Sequence, residues 1–163
     1  MFAFYNRHNN SLYNKLVELS RNLFFYKELG LKDNFETRII LIFMHFSIIL
    51  NFYKKNKFPQ NIFDNIFLNI EYHLRELGHG DVIVNKKMKS LNKIFYDILL
   101  KIEEKSEKNF SINKKIITEH FIEMNIDKSV FIGKIGHYLS SFHNFCFELD
   151  RDNMLKGQIN FKY

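Results

Sequence analysis

The stretch IILIFMHFSIILNFY, residues 39 to 53, decides the fold because its 15 residues include no charged side chain. A helix that is apolar on nearly every side is stable only where other elements cover it. The stretch is shorter than the roughly 20 residues that span a bilayer. It also contains His45, Ser47 and Asn51. We therefore expect a buried helix over about residues 35–55 at the centre of the core.

Apolar residues recur at helical spacing on both sides of this stretch. Leucines spaced three and four residues apart predict a first helix over about residues 11–27, which Gly30 can end in left-handed geometry. Asp33 or Asn34 is placed to cap the next helix, with Glu36 in its first turn. Later stripes predict a third helix between Pro59 and Gly78, and further helices over about residues 85–107, 113–124 and 128–148.

This pattern predicts an all-α protein. The segment Val82–Val84 is too short and too isolated to predict a strand, and no repeat or linker interrupts the chain. A length of 163 residues suits one domain that buries roughly two thirds of its unfolded surface. The expected fold is a single compact helical domain, residues 1–163, of five to seven helices.

The chain has a net charge of +6, carried mostly by lysine. Such a charge favours contact with nucleic acid, a ribosome or an anionic membrane surface, although a solvated basic surface is the simpler interpretation. We expect no DNA binding. The single cysteine, Cys146, excludes an internal disulfide and is typical of a reducing compartment. The first 15 residues lack the layout of an export signal, so we expect none.

Arginine is scarce beside lysine, so each arginine is more informative than a lysine. Arg38 and Arg75 are each predicted to make a bidentate contact with a carboxylate or with carbonyls at a helix end. The nearest candidate partners in sequence are Glu36, Glu76 and Asp81.

The loop Gly78-His79-Gly80-Asp81 admits three interpretations: a phosphate cradle, a metal or catalytic site, or a turn that fixes two helices. A phosphate cradle usually follows a strand, whereas this loop follows a helix and lacks the Lys-Ser/Thr pair. We interpret the loop as a helix C-cap at Gly78 followed by a turn, with Asp81 capping or bracing the next helix.

The sequence assembles no obvious catalytic centre. Paired cysteines and paired histidines at metal-binding spacing are absent, and Cys146 lies in an apolar context. His45 is expected to be a core histidine that donates to an oxygen, and a haem or quinone contact is the alternative. Since no nucleophile, base and oxyanion donor come together, we predict a binding protein, not an enzyme, with no metal and no cofactor.

Three lysines of the fourth predicted helix project from one side. This basic face consists of Lys86, Lys89 and Lys93, and it lies opposite Met88, Leu91 and Phe95. A set of three ammonium groups is suited to weak, reversible contact with the phosphates of lipids or of a ribosome. We therefore predict peripheral association with an anionic membrane surface.

Two stretches of the chain carry motifs of a known family. The first is FFYKELGLKDNFETRIILIFMHFSIIL, residues 24–50, with FY, LG, Arg and His at set spacing. The second is LRELGHGDVIVNKKMKSLNKIFY, residues 74–96, with LRELG-x-GD followed by KK and FY. Together they resemble the ubiquinol–cytochrome c chaperones, the assembly factors of the cytochrome bc1 complex. The chain departs from the pattern at Met44 and at Asp97-Ile98, where the family tends to have Leu and Gly-Arg. The matching positions are Tyr26, Gly30, Arg38, His45, Leu74, Arg75, Glu76, Leu77, Gly78, Gly80, Asp81, Lys87, Lys89, Phe95 and Tyr96.

The resemblance implies a chaperone, in a compact bacterial form, that binds newly made cytochrome b and promotes assembly of the bc1 complex (complex III). It implies a cytoplasmic protein attached peripherally to the inner face of the inner membrane, with the ribosome or a second small assembly factor as further partners. A helical module that binds RNA or the ribosome without a client remains the alternative, and an enzyme acting on lipids or quinones near His45 is a second. The residues that the motif match assigns to client or partner binding are Tyr26, Arg38, His45, Arg75, Glu76, Asp81 and Tyr96.

Overall fold

The computed structural model describes residues 11–53, 57–104, 110–121 and 125–163. Within these ranges the chain forms seven α-helices and one π-helical turn, and no β-strand. The α-helices are α1 (Ser11–Ser20), α2 (Phe35–Asn51), α3 (Gln60–Glu76), α4 (Asp81–Lys101), α5 (Lys114–His120), α6 (Lys128–Phe147) and α7 (Arg151–Leu155). The all-α prediction is therefore confirmed, with a helix number at the upper end of the predicted range.

Helix α2 lies at the centre of the core, as its charge-free sequence predicts. Every residue from Ile39 to Ile49 is buried, and α1, α4 and α6 all pack against the helix. Asn34 caps its first turn by accepting a hydrogen bond from the Thr37 amide at 2.9 Å. Among the described residues no helix is long and apolar enough to cross a membrane.

The first predicted helix is interrupted. Helix α1 ends at Ser20 rather than near residue 27, and the chain then forms a π-helical turn over Phe24–Glu28. A hydrogen bond from the Leu29 amide to the Phe24 carbonyl, 3.1 Å long, closes this turn. The extra residue in the turn brings both Phe24 and Phe25 against Tyr138 of α6, with ring centroids 5.5 and 4.7 Å away.

Helix α4 begins four residues earlier than predicted and ends earlier. Val82–Val84 lie in its first turn, with Val84 fully buried, so this segment is helix and not strand. Ile102 caps the helix, and Glu103 then pairs with Ile112 in an isolated antiparallel bridge. The predicted helix ends at residues 55, 107 and 124 lie outside the described residues.

The last segment contains a short helix that the sequence pattern did not reveal. Asp150 caps α7 by accepting a hydrogen bond from the Asn153 amide, and the side chain of Met154 is buried in the core. Beyond α7, Gly157 has a φ of +71°, and a Cβ there would lie 2.4 Å from the Ser11 carbonyl oxygen. Only glycine therefore allows the chain to cross the start of α1 at this distance.

Candidate functional site

An open cavity of about 450 Å³ lies between α1, the start of α2 and the end of α3. We call it the α1–α3 groove. Its wall is apolar where Val17, Ile39 and Ile42 line it, and polar along the α3 side. Three residues of the family motifs, Arg38, Glu76 and Leu77, belong to its lining.

Arg38 makes the two-nitrogen contact that its scarcity predicts. Its Nε and Nη2 atoms lie 2.7 and 2.6 Å from Oδ1 of Asp33. The prediction of Glu36 as the partner of Arg38 was wrong, because side chains two residues apart on a helix do not face each other. Beside this pair, the Tyr26 hydroxyl donates to the Ser20 carbonyl at 2.6 Å. Burial, followed by the negative charge of Asp33, raises the pKa of Tyr26 above its ordinary value.

Arg75 joins the end of α3 to the start of α4. Its Nη1 donates to Oδ1 of Asp81, and its Nη2 donates to Oε1 of Glu71 at 3.0 Å. These two hydrogen bonds raise the pKa of Arg75 above its ordinary value, and the bond to Asp81 has the larger effect. The prediction is thus confirmed for Asp81, but each carboxylate receives one nitrogen, so the contact is not a single bidentate one. Glu76 is not the partner in this pair and lines the α1–α3 groove instead.

The loop between α3 and α4 is the turn that the sequence predicts. Gly78 has a φ of +93°, and its amide donates to the Arg75 carbonyl at 3.0 Å. Asp81 is the first residue of α4, where its negative charge suits the helix N-terminus, and its bond to Arg75 braces the turn. Both roles assigned to this loop, the left-handed cap and the brace, are confirmed.

A second open cavity, of about 340 Å³, lies between α3 and α4. We call it the α3–α4 groove. Its floor is apolar, since Phe63, Phe67 and Met88 line it, while Asp64 and Glu71 stand at its α3 rim. The lining also includes Leu68 and Tyr96, whose side chains are well exposed. Helix α3 therefore separates two grooves, and residues of the family motifs line both of them.

His45 lies inside the core and touches neither groove. Its Nδ1 is 2.6 Å from the Leu41 carbonyl oxygen, and its Nε2 is 2.8 Å from the Tyr138 hydroxyl. A carbonyl only accepts, so Nδ1 carries the proton and the Tyr138 hydroxyl donates to Nε2. Burial lowers the pKa of His45 to about 4, so the ring is neutral. The prediction of a core histidine that donates to an oxygen is confirmed, and His45 joins α2 to α6.

The basic face of α4 is exposed along its whole length, as predicted. Lys86, Lys89 and Lys93 are exposed, whereas Phe95 on the opposite side is fully buried. Val82 and Leu100, which are 81% and 76% exposed, extend the same side of the helix at four- and seven-residue spacing. The face thus combines ammonium groups with apolar side chains.

A polar cluster at the end of α4 was missed by the sequence analysis. His120 Nε2 lies 3.0 Å from Oδ2 of Asp97, and Lys101 Nζ lies 2.5 Å from Oδ1 of the same carboxylate. These two contacts lower the pKa of Asp97 below its ordinary value, and the contact with Lys101 has the larger effect. Donor atoms of Asp97, Glu119 and His120 all lie within 4.8 Å of one another. No spacing rule links residue 97 to residue 120, so the sequence alone gave no signal.

Cys146 has the environment that its sequence context indicates. Its side chain is buried in α6, and burial raises the pKa of the thiol to about 12. A thiol with this pKa is protonated at neutral pH and is a poor nucleophile. Cys146 therefore contributes to packing.

Comparison with known proteins agrees with the motif analysis. A family model described as ubiquinol-cytochrome C chaperone matches residues 27–161, which is well over half of the chain. Comparisons with curated proteins and with solved structures give no significant match. The matched region extends from the end of the π-helical turn to the segment after α7. It includes the whole α3–α4 groove and the α2 and α3 walls of the α1–α3 groove, whose α1 wall precedes the match. The chain belongs to the ubiquinol–cytochrome c chaperone family.

Proposed function

We propose that this protein is an assembly chaperone, not an enzyme, that binds newly made cytochrome b and promotes assembly of the ubiquinol–cytochrome c reductase. Membership of the family supports a role in the assembly of this complex. Cytochrome b is the client that the resemblance implies. A membrane protein that has not yet been assembled exposes apolar helices, and a chaperone for it needs an apolar surface open to solvent.

The observation that carries the proposal is the pair of grooves on the two sides of α3. Each has an apolar floor and a charged rim, which suits an apolar segment flanked by polar residues. Arg38 and Glu76 in one groove and Tyr96 in the other are the client contacts that we propose. Arg75 and Asp81 support the α3–α4 groove by joining the end of α3 to the start of α4. His45 and Tyr26 act from inside the fold, by holding α2 and the π-helical turn.

The test is recovery of cytochrome b from membranes with a tagged copy of the chain. Leu68→Glu introduces a charge into the α3–α4 groove, and Leu77→Glu does so in the α1–α3 groove, at side chains that are 40% and 51% exposed. Val130→Glu on α6 is the matched control, since Val130 is 47% exposed and lines neither groove.

We expect at least one groove variant to lose most of the cytochrome b that the parent recovers, while Val130→Glu recovers it normally. Equal recovery by all three variants, at equal helix content, would contradict binding in the grooves. Failure of the parent itself to recover cytochrome b before the partner subunits join would contradict the client assignment.

The basic face of α4 supports a cytoplasmic location at the inner face of the inner membrane. Lysines beside the exposed Val82 and Leu100 suit the interface of an anionic bilayer, where ammonium groups meet phosphates and short apolar side chains reach the acyl boundary. Such contact would keep the protein beside the membrane into which cytochrome b is inserted. The ribosome and a second small assembly factor are further partners that the resemblance implies.

The basic face also favours a second candidate, a module that binds RNA or the ribosome without a client. Affinity for RNA would then fall steeply with salt, because binding releases counterions from each phosphate contacted. Measurement of RNA binding by the purified chain across a salt series separates the two functions. Strong, salt-dependent RNA binding without recovery of cytochrome b would favour this candidate.

A further inference from the structure

The ends of α4 and α5 bring three metal-ligating side chains together at a place that is distinct from both grooves. Asp97 comes from α4, and Glu119 and His120 come from the last turn of α5. One donor atom from each residue lies within 4.8 Å of the other two, a separation that a single ion can bridge with only small side-chain adjustments. His120 already directs Nε2 toward Asp97, at 3.0 Å.

The backbone around this cluster is held by contacts outside it. The Glu104 amide donates to the Ser111 carbonyl at 2.8 Å, and the Asn113 amide donates to the Ile102 carbonyl at 2.9 Å. Ile102 and Ile112 beside this bridge are buried. The bridge fixes the end of α4 relative to the start of α5, so the three ligands are partly positioned before any ion arrives.

The Asp97 carboxylate already attracts a cation of the protein itself, the Lys101 ammonium. Lys101 places its ammonium 2.5 Å from Asp97, with its side chain about half exposed, so it can swing into solvent. Asp97 and Glu119 together carry two negative charges, which one divalent ion balances and one ammonium does not. An ion at this place would therefore compete with Lys101 for Asp97.

The donor set selects the kind of ion. One imidazole and two carboxylates suit zinc and similar divalent transition ions, whereas calcium and magnesium prefer oxygen ligands alone. We propose that Asp97, Glu119 and His120 bind one Zn²⁺-type ion, with water completing the coordination, and that the ion cross-links α4 to α5.

The experiment is a titration of the metal-free full chain with Zn²⁺, followed by calorimetry and by thermal unfolding. We expect one saturable site per chain and a rise in Tm as the site fills, with no comparable effect of Mg²⁺. His120→Ala and Asp97→Asn should each weaken binding about tenfold or more, since each removes a direct ligand. His79→Ala, which removes a histidine from the α3–α4 loop, should bind like the parent.

Lys101→Met gives the sharpest distinction between a metal site and an ion-pair cluster. If the cluster is a metal site, removal of the competing ammonium should tighten Zn²⁺ binding by several-fold. If the cluster serves only as ion pairs, the same substitution should create no affinity for Zn²⁺. The proposal is overturned if neither the parent nor Lys101→Met binds Zn²⁺ saturably. It is also overturned if His120→Ala binds as tightly as the parent, which would indicate nonspecific surface binding.

Discussion

His45 of α2 and Tyr138 of α6 are joined by a 2.8 Å hydrogen bond in a part of the core where both side chains are fully buried. The imidazole accepts this bond because its other nitrogen donates to the Leu41 carbonyl. Phe25 and Phe142 contact the ring through their edges or faces, with centroids 6.1 and 4.8 Å from it. This hydrogen bond therefore joins α2 to α6 through a polar contact in aromatic surroundings.

Removal of the Tyr138 hydroxyl should destabilise the fold. Tyr138→Phe leaves Nε2 of His45 buried without a donor, which costs about 1–3 kcal/mol of unfolding free energy. Urea denaturation followed by circular dichroism measures the difference. Tyr96→Phe is the control, because Tyr96 is exposed and its hydroxyl can bond to water. Equal stability of the two variants would show that the buried hydrogen bond contributes nothing.

Stability should fall as the pH decreases from about 6.5 to about 4. The pKa of His45 is lowered to about 4 in the folded chain, from an ordinary value of 6.5. At a pH between these two values the unfolded chain binds a proton at His45 and the folded chain does not. The stability that the neutral His45 contributes is therefore complete above pH 6.5 and is lost progressively as the pH falls to about 4. The loss is at most about 3 kcal/mol. Denaturation at several pH values should show a flatter dependence for His45→Gln than for the parent.

A direct check on the same residue is nitrogen NMR of the imidazole. The parent should keep its Nδ1–H tautomer, without titration, through the range in which free histidines become charged. If His45 titrates near its ordinary pKa, or if the pH curves of His45→Gln and the parent are parallel, the buried neutral ring is not responsible for the loss.

Gly78 should tolerate side chains less well than its neighbour Gly80. Gly78 has a φ of +93° and Gly80 has one of −76°, while a Cβ would meet no atom within 4 Å at either position. The comparison therefore isolates backbone strain. Gly78→Val should cost roughly 1–2 kcal/mol of unfolding free energy, and Gly80→Val, with the same side chain at an ordinary φ, should cost less. Thermal unfolding of both variants with similar Tm values would rule out the left-handed cap as a requirement.

Gly157→Ala should be more harmful than Gly78→Ala. Its Cβ would meet the Ser11 carbonyl oxygen at 2.4 Å in addition to the strain of a φ of +71°. Together these effects should cost more than about 2 kcal/mol, because the start of α1 must move. The measurement is chemical denaturation beside Gly78→Ala, which has the strain without the clash. A smaller loss of unfolding free energy for Gly157→Ala than for Gly78→Ala would mean that the segment after α7 can shift to avoid the clash.

Charge reversal on the basic face should abolish contact with anionic membranes. Lys86, Lys89 and Lys93 are exposed, and each is worth about 1 kcal/mol near an anionic leaflet at low salt. Replacing all three with Glu should release the chain from anionic vesicles in a flotation assay, with its helix content unchanged. The control reverses three lysines elsewhere, Lys128, Lys134 and Lys156. Retention of the first variant on vesicles and on ribosomes would mean that the basic face is only solvated.

Local patterns predicted the helices well, because an apolar stripe and a cap are both encoded within a few residues. Asn34 and Gly78 are examples, since each fixes a helix end through its own side chain or backbone. The π-helical turn could not be predicted in this way. It is stabilised where Phe24 and Phe25 pack against Tyr138, which lies more than 100 residues further along the chain.

The candidate sites were predictable only in part. Arg38 and Arg75 were identified from composition and motif, but their partners Asp33 and Glu71 depend on how the helix ends fold. The pairing of Asp97 with His120 depends on the bridge between Glu103 and Ile112, which positions α5 beside α4. Contacts between distant elements are set by the packing of the whole domain, and no local spacing encodes them.

The burial of α2 has a consequence for the synthesis of the protein. This helix has 17 residues, and at 1.5 Å per residue it is about 25 Å long, which is shorter than the roughly 30 Å of a bilayer interior. Two of the helices that cover it, α4 and α6, are made only after it. Until the ribosome has added Phe147, the growing chain therefore presents an apolar segment that lipid can attract. A slow ribosome should thus increase aggregation of the growing chain and lower the yield of the protein, without any change in its sequence.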